Sequence, residues 1–139
     1  MISKRHIAKT ITWRIIGTLD TITLAYLISG ELENGLRIGG FEIITKMILY
    51  YLHEQFWFKS KLISASQRHL IKTFSWRFLG TIDTFVLSWV ITGSSMVGIQ
   101  IGATETVTKM VLYYLHEKAW YKINFGINSL KRKYKYLKK

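Results

Sequence analysis

Apolar residues gather in four stretches, Ile11 to Ser29, Leu36 to Phe56, Phe74 to Thr92 and Met96 to His116, with short polar segments between them. Each approaches the ~20 residues that a helix needs to cross ~30 Å of hydrocarbon. The pattern predicts four helices, over about residues 7–29, 36–57, 70–92 and 96–120. None of the four is uniformly apolar. The first and third carry Arg14 with Asp20 and Arg77 with Asp83; the second and fourth carry Glu42 with Lys46 and Glu105 with Lys109. The chain has no Pro, so unbroken helices are expected rather than the interrupted ones of many transporters. The first stretch reads as a retained helix and not a removable signal, because its apolar run is long and its twin lies mid-chain.

That twin is part of a duplication. Sliding the chain along itself gives an ungapped match at a spacing of 63 residues, which brings Arg5–Lys59 onto Arg68–Lys122. About half of the aligned positions are identical, as in a duplicated supersecondary unit. The unit is a helical hairpin, so the chain divides into a first repeat (1–62), a second repeat (63–122) and a tail (123–139).

Charge then sets an orientation. The 139 residues include 20 Lys and Arg against 8 Asp and Glu, a net charge of +12, in a chain that is 49% hydrophobic. Basic residues lie before the first stretch (Lys4, Arg5, Lys9), between the second and third (Lys59, Lys61, Arg68, Lys72) and after the fourth. Short loops rich in Lys and Arg stay cytoplasmic, which predicts an all-α integral protein of the inner membrane with both termini inside. Two spans per repeat make the copies parallel, related by a pseudo-twofold axis along the membrane normal. In the tail, Ile127, Leu130, Tyr134 and Leu137 recur at helical spacing among Lys131, Arg132, Lys133, Lys135, Lys138 and Lys139. This is the pattern of a basic amphipathic helix on an anionic membrane face. The bilayer, its anionic lipids and a protein partner are the expected contacts; topology already accounts for the charge, so no nucleic acid is expected.

Comparison of the copies sorts the helix faces. Gly35, Gly39, Glu42, Lys46, Tyr50, His53 and Trp57 step down one face and recur as Gly98, Gly102, Glu105, Lys109, Tyr113, His116 and Trp120. That face is expected to look at protein, and its GxxxG spacing lets helix backbones approach closely. The preceding helix carries a matching stripe through Trp13, Gly17, Asp20 and Leu24, repeated at Trp76, Gly80, Asp83 and Leu87. Counting from the turn near Leu32 at about 1.5 Å per residue places Asp20, Lys46 and Glu42 at similar depth, with Arg14 level with His53. The expectation is a buried cluster of Asp20, Glu42 and Lys46 beneath a layer of Arg14, His53 and Glu54. The second repeat would build the same from Asp83, Glu105 and Lys109 beneath Arg77, His116 and Glu117. Each charge would cost on the order of 3 kcal/mol unpaired in hydrocarbon, so mutual pairing is required.

The chemistry these residues permit divides two ways. Intramembrane ionisable groups can carry ions or protons, which makes transport or permeation of an ion or small anion the leading reading, with its site where the two clusters meet. The alternative is a lock between helices, in a scaffold or accessory subunit that binds a protein partner or anionic lipid. Trp13, Trp57, Trp76 and Trp120 read as anchors at the cytoplasmic interface. One His per copy falls short of a metal site, Cys is absent, and phosphate loops and catalytic triads are missing. No enzyme, metal or cofactor is therefore expected.

The pair RHxxKTxxWRxxGTxDT and TKMxLYYLHExxW, present twice, resembles the prokaryotic membrane family known as domain of unknown function 2061. The resemblance implies a small integral membrane protein and supplies no catalytic residues. Some members of that family look associated with sulfate-assimilation enzymes such as adenylylsulfate kinase, but this chain holds no kinase domain.

Overall fold

A computed structural model describes residues 4–59 and 65–123 as four α-helices: α1 (Lys4–Ser29), α2 (Leu32–Lys59), α3 (Ala65–Thr92) and α4 (Ser95–Lys122). The helices run past the apolar stretches because backbone hydrogen bonding continues into polar turns that hydropathy does not mark. Residues 60–64, the connection between repeats, and the amphipathic tail from 124 onward lie outside the described residues.

Each hairpin closes at a glycine. Gly30 and Gly93 adopt φ of 78° and 72°, the left-handed conformation that ends a helix. Their N–H groups donate to the carbonyls of Tyr26 and Trp89 at 2.9 and 2.8 Å. In the second hairpin Ser94 then caps α4 by accepting from the Val97 N–H at 3.4 Å. Beyond the turn the helix backbones touch. A Cβ on Gly35 would stand 2.7 Å from the Ile22 carbonyl oxygen, and one on Gly98 2.9 Å from that of Phe85. The GxxxG edge therefore closes each hairpin on itself, with Ala25, Ile38 and Ile101 fully buried beside it.

The four helices form a ring. α1 packs on α2 and α4, and α3 on α2 and α4. Polarity is inverted relative to a water-soluble bundle. Thr21, Glu42, His53, Thr84, Ser88, Glu105 and His116 are buried, while Ile11, Leu19, Leu27, Phe41, Phe78 and Val90 are exposed. So much exposed apolar surface would be untenable in water and is ordinary against lipid. By length and composition α1, over Arg5–Ser29, is the one described helix apolar enough to cross a membrane by itself. The middles of α2 and α4 carry Glu42, Lys46, Glu105 and Lys109, whose side chains pair inside the bundle.

Candidate functional site: a charged centre shared by the repeats

The middle of the bundle holds two glutamates and two lysines in mutual contact. Within each helix the lysine sits one turn after the glutamate, and Lys46 bonds Glu42 as Lys109 bonds Glu105. The repeats then interlock: Lys46 Nζ lies 3.6 Å from Glu105 and Lys109 Nζ 3.7 Å from Glu42. Two hydroxyls from the other helices complete the set. Thr21 Oγ1 reaches Glu42 Oε2 at 2.7 Å and Glu105 Oε1 at 2.9 Å, and Thr84 Oγ1 donates to Glu42 Oε1 at 2.7 Å. Both carboxylates are buried, with exposures of 4% and 3%. The tetrad is formally neutral, and each charge has an opposite partner, which is what lets such groups persist in a low-dielectric interior.

Asp20 and Asp83 stand beside this tetrad. Asp20 accepts from Thr108 of α4 at 2.8 Å, and Asp83 accepts from Thr45 of α2 at 2.9 Å. The grouping of Asp20 with the lysine of its own hairpin is thus corrected: its nearest partners come from the other repeat. The two expected clusters are one centre. Gly17 and Gly80 face the same exchange: a Cβ on each would stand 3.9 Å from the stem of the other repeat's lysine, Lys109 and Lys46 respectively.

One level outward, each histidine is clamped between repeats. His53 Nε2 lies 2.8 Å from Ser75 Oγ and accepts the Trp57 indole N–H at 3.0 Å. His116 Nε2 lies 2.9 Å from Thr12 Oγ1 and accepts from Trp120 at 3.0 Å. Each indole N–H, a donor only, also lies within reach of the hydroxyl, 3.3 Å from Ser75 Oγ and 3.1 Å from Thr12 Oγ1, so imidazole Nε2, indole and hydroxyl share one contact and leave Nδ1 as the ring's other nitrogen. That nitrogen is buried without a hydrogen-bond partner in both copies. Trp57 and Trp120, expected as membrane anchors, are buried at 7% and 8%. Their N–H groups have no water to meet and take the imidazoles.

The rim follows the same exchange. Glu54 pairs with Lys72 of α3 and Glu117 with Lys9 of α1, both at 2.5 Å. Arg5 donates to the carbonyls of Trp120 and Ile123 at 2.6 Å, capping the last turn of α4, where a cation is favoured. Arg14 and Arg77 are not part of this layer. Both are exposed: the expected interfacial layer with the histidines is corrected, because level with His53 along the helix is not the same as facing it.

Sequence reasoning does not single out the hydroxyls of Thr84, Thr45, Thr108, Thr12 and Ser75. The signal was present, since each has a hydroxyl counterpart in the other copy. Two surface hollows, one lined by His6, Ile7, Thr10 and Ile11 and one by Tyr114, Glu117, Lys118, Tyr121 and Lys122, lie away from the tetrad.

A family model described as "Predicted membrane protein (DUF2061)" matches residues 7–58 and again residues 70–121, the two copies found in the sequence. Searches of curated proteins and of solved structures return no match.

Proposed function

We propose, for a chain that belongs to the DUF2061 family of predicted membrane proteins, the role of an integral membrane scaffold or accessory subunit. Its four helices span the inner membrane, both termini are cytoplasmic, and the duplicated hairpins are locked by their charged centre. The observation that carries this reading is the direct pairing of Glu42, Lys46, Glu105 and Lys109 across the repeats. A site built to bind and release an ion keeps unspent coordination, whereas here each charge neutralises another. The basic residues around 59–72 and in the tail then face the cytoplasm, where a protein partner or anionic lipid is recruited. Affinity purification from solubilised membranes tests this: removing residues 129–139 is expected to abolish recovery of cytoplasmic partners, and undiminished recovery overturns it.

Transport of an ion or small anion is the second reading. Partial exposure of the Lys46 and Lys109 side chains, 22% and 19%, favours it, because a route to the centre would begin there. Proteoliposome flux of protons or chloride separates the two. The scaffold predicts the rate of empty vesicles. Flux that disappears in a folded Asp20→Asn, Asp83→Asn variant assigns transport instead.

A further inference from the structure

On the outer face of α1, His6, Thr10 and Arg14 follow one another at four-residue spacing, and all three are exposed. The same three residue types recur as His69, Thr73 and Arg77, of which Thr73 and Arg77 are exposed on α3. Around them the residues differ between copies: Ile7, Ile11, Ile15 and Leu19 are replaced by Leu70, Phe74, Phe78 and Ile82, every one exposed. The polar stripe is kept in a setting where the apolar residues drift.

Contacts inside the bundle do not explain this. Among the described residues neither the Arg14 nor the Arg77 guanidinium has a hydrogen bond or ion pair. Arginine does not lose its charge in proteins, and an unpaired charge on a lipid-facing helix is costly. Among the described residues it has no partner, which leaves the membrane surface around the helix to supply one. Arg14 lies 15 residues before the end of α1 at Ser29, about 22 Å at 1.5 Å per residue. The guanidinium can therefore reach the edge of a ~30 Å hydrocarbon layer. The anion concentrated at that edge is the lipid phosphate, whose oxygens the guanidinium fork matches bidentately, and a chain of net charge +12 favours headgroups that keep a net negative charge over the zwitterionic ones that share the phosphate. An open hollow of about 230 Å³, lined by His6, Ile7, Thr10 and Ile11, lies one turn beyond Arg14 and gives a headgroup room.

We propose that Arg14 and Arg77 each hold the phosphate of an acidic phospholipid of the cytoplasmic leaflet, one lipid per repeat. The acyl chains lie along Ile11 and Ile15 in one copy and Phe74 and Phe78 in the other. The assignment rests on the membrane reading, so two measurements keep the failures apart. Integration of the full chain into neutral phosphatidylcholine vesicles, resistant to alkaline extraction, tests the membrane reading alone. Retention of phosphatidylglycerol, counted by native mass spectrometry and titrated in neutral nanodiscs, tests the arginines.

Loss of a charge-assisted contact of about 1.5–3 kcal/mol corresponds to roughly ten- to a hundredfold weaker binding. Arg14→Gln and Arg77→Gln are each expected to weaken one of two sites by that factor, and the double variant to weaken both, with unfolding in neutral lipid unchanged. If the double variant is unstable there, the singles decide. Arg14→Lys with Arg77→Lys is expected to fall between wild type and the Gln pair. Wild-type retention by the Gln variants overturns the proposal. Equal competition by inorganic phosphate also overturns it, because the site would then take a soluble anion.

Discussion

The two ends of this bundle are held by different physics. At the turn end each hairpin closes backbone against backbone, with Gly35 pressed to Ile22 and Gly98 to Phe85, and one apolar core of Ala25, Ile38 and Ile101 fills the space between the hairpins. From Thr21 outward most of the polar contacts between helices run from one repeat to the other: Asp20 with Thr108, Thr45 with Asp83, His53 with Ser75, Thr12 with His116, Glu54 with Lys72, Lys9 with Glu117; Thr21 with Glu42 and Thr81 with Thr106 stay within a hairpin. Each of these six cross-repeat contacts has its reciprocal, as a twofold relation requires. Close backbone contact joins helices that the short turn already places together, and the hydrogen bonds add a choice between helices that it does not. In lipid this division follows from the solvent, since burying apolar surface gains little there and directional polar contacts carry the specificity.

The comparison can be broken from either end. The largest effect is expected at the tetrad, where Glu105→Ala leaves Lys109 in the interior without its main partner. Breaking a buried pair on one side costs about 3–5 kcal/mol, read as loss of stability in detergent unfolding. Replacing the two glutamates by Gln and the two lysines by Met together is expected to recover much of that loss, because no charge is stranded. A smaller effect belongs to the turn end. Gly35→Ala places a Cβ 2.7 Å from a carbonyl oxygen that cannot yield, an overpacking cost of about 1–3 kcal/mol. Gly102→Ala meets its nearest atom at 3.6 Å and is expected to be nearly neutral in the same assay.

The smallest effect is at the rim. The hydrogen bond from Lys9 holds the Glu117 carboxyl below its ordinary value. A carboxylate shifted this way stabilises the fold above its unfolded pKa, and the contribution disappears as pH falls through the folded one. The pair is solvent-exposed, so Glu117→Gln is expected to cost no more than about 1 kcal/mol and to flatten that part of the stability profile between neutral and acidic pH.

The helices and their duplication were legible because hydropathy and self-identity are properties of single residues. Depth was a count from the turn, which put Asp20 and Lys46 at similar depth with Glu42 within about a turn of both; what the structure gives is contact, Lys46 with Glu42 and Asp20 with Thr108. Azimuth was not legible. A residue's distance from the turn says nothing about which of two flanking helices it meets, and Asp20 turned to α4 and not to α2. Arg14 exposes a second limit. Retention between copies marks a position as constrained, but an interior partner and an external one leave the same trace. The threonines were passed over because hydroxyls are neutral and frequent, although Thr45 and Thr108 stand three residues after their glutamates in both copies.

The central claim is that the charged half pairs across the repeats, and disulfide trapping in native membranes tests it most directly, since the chain contains no cysteine of its own. Cysteines replacing Asp20 and Thr108, or Thr45 and Asp83, are expected to cross-link under mild oxidation. The bond would keep the two repeats together after proteolysis between them. Cysteines at Asp20 and Thr45 should remain reduced. Cross-linking of Asp20 to Thr45 with none to Thr108 would contradict the account, because each hairpin would then pair its polar residues within itself.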